Sequence, residues 1–172
     1  MSQQQGMFAA GNNRPKCAGV LVFHYGCPPS VISDQKTLYI VVVKKAKQIT
    51  YPWGFPKGGK EANETVLENA LRELTEETGI TQDQLSFLSD FPVQEYNNCD
   101  LTVLYFVAKF VGDPWKHKFM YSEDELEIAQ WMPVADVLKP PVMTAMKPGR
   151  VLMLKQTLKQ FEEILNRNGS CM

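Results

Sequence analysis

The chain has 172 residues and a formal net charge of −1, so one domain with a sizeable core is expected, with no global pull toward long nucleic acid or an anionic membrane. Hydrophobic residues at 44% and charged residues at 22% exclude neither a core nor a solvated surface, and no apolar run approaches the roughly 18 residues of a membrane span. Four cysteines (Cys17, Cys27, Cys99, Cys171) show neither CxxC nor zinc-ligand spacing, which points to reduced thiols in a cytoplasmic setting.

Residues 1–13, MSQQQGMFAAGNN, lack a signal-peptide pattern and are expected to form a flexible polar tail before a single domain over 14–168, with a short tail at 169–172. Ala18–Phe23 and Leu38–Val43 are short β-branched runs that read as buried strands, separated by a loop at Gly26-Cys-Pro-Pro-Ser30. Lys44, Lys45 and Lys47 follow the second run and read as a solvated strand edge. A helix is predicted over about 63–78. Asn63 or Thr65 can cap its start, Thr65 and Glu68 have capping-box spacing, and Gly79 stands where a left-handed terminal residue is expected. Further strands are predicted at Leu85–Tyr96, Leu101–Val111 and Leu126–Trp131. Between the last two, the charged and aromatic stretch Gly112–Glu125 reads as a surface loop able to act as a lid. Pro133–Leu138 suits a short helix and Val151–Asn166 an amphipathic terminal one.

The helix over 63–78 carries the chemistry. Arg72, Glu73, Glu76 and Glu77 crowd into one stretch of it, and like charges at helical spacing repel by about 0.2–0.5 kcal/mol per pair. At about 100° per residue, Glu73, Glu76 and Glu77 fall within an arc of roughly 100°. They flank an apolar stripe of Val66, Leu67, Ala70, Leu71 and Leu74 that would face a core, so the carboxylates sit at the edge of a cleft. Oxygen-only ligands of this kind suit hard cations such as Mg²⁺ or Mn²⁺.

The segment GGKEANETVLENALRELTEETGI, with Gly58, Glu64, Arg72-Glu73-Leu74, Glu76-Glu77 and Gly79-Ile80 in register, resembles the Nudix box at every defined position. Chance agreement at those fixed identities is on the order of once per million chains of this length. The resemblance implies an α/β fold, a Nudix α/β/α sandwich with a mixed β-sheet. It implies hydrolysis of a phosphoanhydride with Mg²⁺ or Mn²⁺ as cofactor, Glu73, Glu76 and Glu77 as metal ligands, and the Lys57 backbone carbonyl as a further oxygen. It also implies that Arg72 orients the glutamates and that Glu64 supports the same network, although Glu64 can equally be a first-turn helix carboxylate. Similar enzymes take another carboxylate from a distant loop as ligand or general base. Glu125, six residues before Trp131, is the first candidate, with Glu123 and Glu127 competing.

Trp53-Gly-Phe-Pro-Lys57-Gly58-Gly59 resembles the segment that precedes the box in diadenosine tetraphosphate hydrolases and in mRNA-decapping enzymes. Lys57 can clamp a phosphate, and Trp53, Gly58 and Gly59 are expected around the substrate. Tyr96 stands near where Nudix enzymes of dinucleoside polyphosphates place a tyrosine, and its ring can stack on a purine or serve ordinary packing. In the loop after Val111, Trp115, Lys116, His117 and Lys118 can grip phosphates and base, although His117 alone reads as a surface histidine.

The leading expectation is a pyrophosphohydrolase of a small nucleotide, with diadenosine tetraphosphate giving ATP and AMP. Removal of an mRNA cap and cleavage of a diphosphoinositol polyphosphate are the alternatives, and Lys44, Lys45 and Lys47 could supply some of the clustered positive charge the latter would want. Cap removal on long RNA wants a basic track that a near-neutral chain does not advertise. A Nudix-fold binding module without catalysis is the distant alternative, and it is disfavoured because no box glutamate is missing. Sequence leaves the oligomeric state open.

Overall fold

The computed structural model describes residues 15–32 and 34–167, so the tails expected at 1–13 and 169–172, together with Cys171, lie outside the described residues. The described strands form an eight-stranded mixed sheet. Its centre is β1 (Cys17–Gly26), β2 (Thr37–Lys45) and β7 (Asp100–Phe110). β1 runs parallel to β7 and antiparallel to β2, and β2 in turn pairs antiparallel with β8 (Leu126–Pro133). Two short strands, β3 (Trp53–Gly54) and β4 (Lys57–Gly59), pair with β2 and β1. β5 (Leu85–Phe87) and β6 (Val93–Asn97) both pair with β7.

Alternation along the central strands sends apolar side chains to both faces, because successive Cβ atoms point to opposite sides of a sheet. Val20 and Val22 of β1 join Ala70, Leu74 and Ile80 in one core. Leu21 and Phe23, their neighbours, join Met153, Leu154 and Leu165 in the other. The first core is covered by α1 (Val66–Thr78); the second by α2 (Val134–Val137), α3 (Pro148–Gln160) and α4 (Glu162–Leu165). This is the expected α/β/α layering. Among the described residues, no helix is long and apolar enough to cross a membrane, and Cys17 and Cys99 are free thiols.

The helix bearing the carboxylates starts and stops as its sequence requires. Glu68 N donates to Thr65 Oγ1 at 3.1 Å and Thr65 N donates to Glu68 Oε2 at 2.7 Å, closing the capping box. Thr65 rather than Asn63 is therefore the cap, and the helix begins at Val66. Gly79 ends it at φ 75°, a left-handed conformation that a Cβ would strain.

Three expectations are corrected. The run 85–96 is two strands, because Ser89-Asp90-Phe91-Pro92 interrupts it and Pro92 has no N–H for a ladder. The terminal helix begins earlier, at Pro148, and bends at Phe161, where burying Phe161 and Leu165 turns the chain into the core. Lys44 and Lys45 do not end an exposed edge, since β2 lies between β1 and β8.

Candidate active site

Arg72 gathers the carboxylates. Its Nε donates to Glu64 Oε1 at 2.6 Å, Nη1 to Glu73 Oε1 at 2.9 Å and to Glu76 Oε2 at 3.1 Å, and Nη2 to the Gly59 carbonyl at 2.8 Å. One guanidinium thus ties three glutamates of the 64–76 stretch to β4. It holds the Glu64 carboxyl below the usual range through this hydrogen bond, with a second from the Glu61 N–H. Glu77, one turn on from Glu73, is buried. Its oxygens accept from the Lys57 N–H at 3.1 Å and from the Lys45 ammonium.

Electrostatics at the cluster favour added positive charge. Burial raises the proton affinity of Glu73, and the charges of Glu77 and Glu76 raise it further, against the pull of Arg72. Among the described residues the carboxylates do not close into a preformed metal cage; Arg72 and Lys45 engage their oxygens instead. The donor set still fits a hard divalent cation, because it consists of carboxylate oxygens on adjacent turns of one helix.

A profile of the NUDIX domain matches residues 29–159. The chain belongs to the NUDIX family. It is 28% identical over 111 residues to human nucleoside diphosphate-linked moiety X motif 6, an alignment covering 63% of this chain and 34% of the human protein. It is 36% identical over 76 residues to the asymmetrical bis(5′-nucleosyl)-tetraphosphatase of Rattus norvegicus, covering 44% of this chain and 50% of the rat protein. The chain thus spans between a third and a half of the length of these curated relatives. In fold it matches the crystal structure of an Ap4A hydrolase binary complex from C. elegans with a TM-score of 0.64 at 21% identity, covering 86% of this chain and 99% of the other.

In this NUDIX chain the residues singled out from sequence fall into distinct surroundings. Gly58 lies directly against Glu73: a Cβ there would come within 2.2 Å of both carboxylate oxygens. Gly58→Ala is accordingly expected to push the Glu73 carboxylate aside, lowering kcat about 10–100-fold while leaving the melting temperature essentially unchanged. Steady-state kinetics beside a thermal melt checks both halves. The Gly59 carbonyl binds Arg72. The Trp53 ring packs on the core with the Lys44 ammonium 5.9 Å from its centroid. Glu125 is anchored beside Lys45, because the Ala46 N–H donates to its carbonyl at 3.0 Å and Leu126 pairs with Lys45. Glu127 is instead engaged by Lys44 at 3.0 Å.

The 112–125 segment is pinned rather than free. His117 Nε2 lies 2.9 Å from the Thr78 carbonyl and its ring packs between Phe110 and Phe119, so it is not simply a surface histidine. Trp115 meets His24 and Tyr39 edge-on, and Trp131 Nε1 donates to the Pro114 carbonyl at 3.1 Å. These aromatic contacts fix the segment over the end of α1.

Sequence reasoning named Lys57 and the lysines at 44–47 as phosphate partners but missed Lys147 and Arg150. Lys45, Lys57, Lys147 and Arg150 line one recess with Tyr51. Tyr51 and Lys147 also line an adjoining groove with Tyr96. Tyr96 sits at a bulge in β6, half exposed, with its hydroxyl donating to Gln94 at 2.6 Å. Tyr51 adopts φ 52°, a costly conformation for a bulky residue and one that clusters at functional sites. The lysines at 44–47 and Lys57 were the local signals of the recess; Lys147 and Arg150 come from the far end of the chain.

Proposed function

We propose that the chain is a metal-dependent pyrophosphohydrolase that cleaves a phosphoanhydride in a nucleoside diphosphate linked to another moiety, with a dinucleoside polyphosphate such as diadenosine tetraphosphate as the substrate, giving ATP and AMP. The observation that carries this reading is the juxtaposition of opposite charges: Glu77 of the box helix is held by Lys45 and by the Lys57 N–H, and both lysines line the cationic recess. A phosphoanhydride needs both halves. Its own negative charge repels a nucleophile and must be neutralised where the bond breaks, while the rest of the phosphate chain needs cations to hold it.

When bound by Glu73, Glu76, Glu77 and the Lys57 carbonyl, Mg²⁺ or Mn²⁺ supplies charge neutralisation and an activated water. The chain's own residues do the remaining work. Arg72 and Glu64 keep the glutamates oriented. Glu125, whose backbone carbonyl accepts from the Ala46 N–H, is the first candidate to take the proton of the attacking water, with Glu123 and Glu127 competing. Lys57 holds the phosphate chain as a point charge. Tyr51 and Tyr96, on one groove, offer ring faces to a purine, an interaction worth about 1–3 kcal/mol per base. Likeness to the rat asymmetrical tetraphosphatase and to the worm Ap4A hydrolase supports the choice of substrate.

Incubation with Mg²⁺ and a panel of diadenosine tetraphosphate, capped RNA, ADP-ribose and a diphosphoinositol polyphosphate tests the reading. Chromatography should show diadenosine tetraphosphate converted fastest. Preferred turnover of another member would reassign the substrate, and turnover of none would point to a binding module.

A further inference from the structure

The basic recess is built, not a chance meeting of surface lysines. Arg150 enters from the first turn of α3 and is 5% exposed. It is locked by a two-pronged pair with the fully buried Glu95 of β6, Nε to Oε2 at 2.9 Å and Nη2 to Oε1 at 3.2 Å. Its remaining nitrogen, Nη1, donates to the Trp53 carbonyl at 3.3 Å. The guanidinium fits there only because residue 54 lacks a side chain, since a Cβ on Gly54 would lie 2.7 Å from Nη1. Glu95 therefore orients Arg150, and Arg150 holds the strand that leads to Lys57.

Charge in the recess is unbalanced. Of its four cations, Arg150 is paired with Glu95 and Lys45 with Glu77, while Lys57 and Lys147 have no carboxylate partner among the described ion pairs. The amino-terminal end of α3, positive by its dipole and without a side-chain cap, opens beside Lys147. The cavity is about 60 Å³, room for a single phosphoryl group, and it leads past Tyr51 and Lys147 into the groove of about 370 Å³ that holds Tyr96.

We propose that this recess binds a phosphate outside the scissile anhydride, so that substrates with three or more linked phosphates are preferred and diphosphate-linked compounds are selected against. The proposal rests on the reading that the α1 carboxylates hold the scissile bond. A phosphate chain leaving them passes Lys45 and Lys57 first, because both touch Glu77, and then meets Arg150 and Lys147. Lys57 and Lys147, acting as point charges, are the partners such a phosphate requires, and Arg150, its fork occupied by Glu95, shapes the wall of the recess.

Calorimetric titration of the full chain with inorganic tripolyphosphate in EDTA tests the proposal. The wild type should bind it, and Lys147→Ala, an exposed substitution, should weaken binding at least tenfold. Lys155→Ala removes the same charge two turns along α3 and should change binding less than twofold. Equal losses in the two variants would make the attraction diffuse and overturn the proposal, as would absence of binding by the wild type. Neither metal nor turnover enters this measurement, so its failure is distinct from a failure of hydrolysis, which the substrate panel reads.

Discussion

Glu76→Gln is expected to lower kcat on diadenosine tetraphosphate by roughly a thousandfold, with the melting temperature unchanged. The substitution keeps shape and removes only charge. In the fold, the Glu76 side chain is 57% exposed and its ion pair is with Arg72 at 3.1 Å, so stability has little at stake. In the reaction, its carboxylate is one of three expected to hold the metal. Loss of a metal oxygen removes several kcal/mol of charge stabilisation, and each 1.36 kcal/mol is about tenfold in rate. Kinetics and a thermal melt on the same preparation check the prediction. A variant with the full wild-type rate would remove the α1 carboxylates from the mechanism.

Arg150→Met should have the largest effect on stability, about 3–5 kcal/mol, because it leaves the Glu95 carboxylate buried without its cation. For a chain of this size that corresponds to a fall in melting temperature of roughly 10 °C. Adding Glu95→Leu should recover most of the loss, since a buried ion pair is often replaced by apolar groups of similar volume without penalty. Tyr105, whose buried hydroxyl interacts electrostatically with both Arg150 and Glu95, stays beside the replaced pair and limits the recovery. The recovered double variant is the informative one. If Glu95 and Arg150 serve only the core, its KM for diadenosine tetraphosphate will match the wild type; if they shape the phosphate recess, KM should rise about tenfold or more, comparable to loss of a charged hydrogen-bonding partner. Urea denaturation and steady-state kinetics separate the two.

The parts of the molecule legible in sequence were those governed by local pattern. Thr65, Glu68 and Gly79 mark the ends of α1 through backbone hydrogen bonds within a few residues. The β-branched runs at 18–23 and 38–43 become the inner strands because nothing but burial satisfies them. The carboxylate arc of Glu73, Glu76 and Glu77 follows from helical periodicity alone. Arg72 bridging to Glu64 was likewise accessible, since both lie on or beside one helix.

What escaped sequence depends on chain reversals. Glu95 and Arg150 are 55 residues apart, and each alone reads as a solvated charge on a strand or helix. Lys45 read as an edge residue because its burial is decided by β8, which pairs with β2 from much later in the chain. Tyr51 gains its place only through the left-handed turn that brings it opposite Tyr96. His117 read as exposed because the aromatic rings enclosing it, Phe110 and Phe119, form a pocket only once the 112–125 segment folds over α1.

The central claim, hydrolysis of a phosphoanhydride at the α1 carboxylates on a divalent metal, meets its most direct test in chromatography of the products formed from diadenosine tetraphosphate with Mg²⁺ and again with excess EDTA. Equal amounts of ATP and AMP in Mg²⁺ and none in EDTA is the predicted result. Turnover that persists undiminished in EDTA, or no product in either, would contradict it.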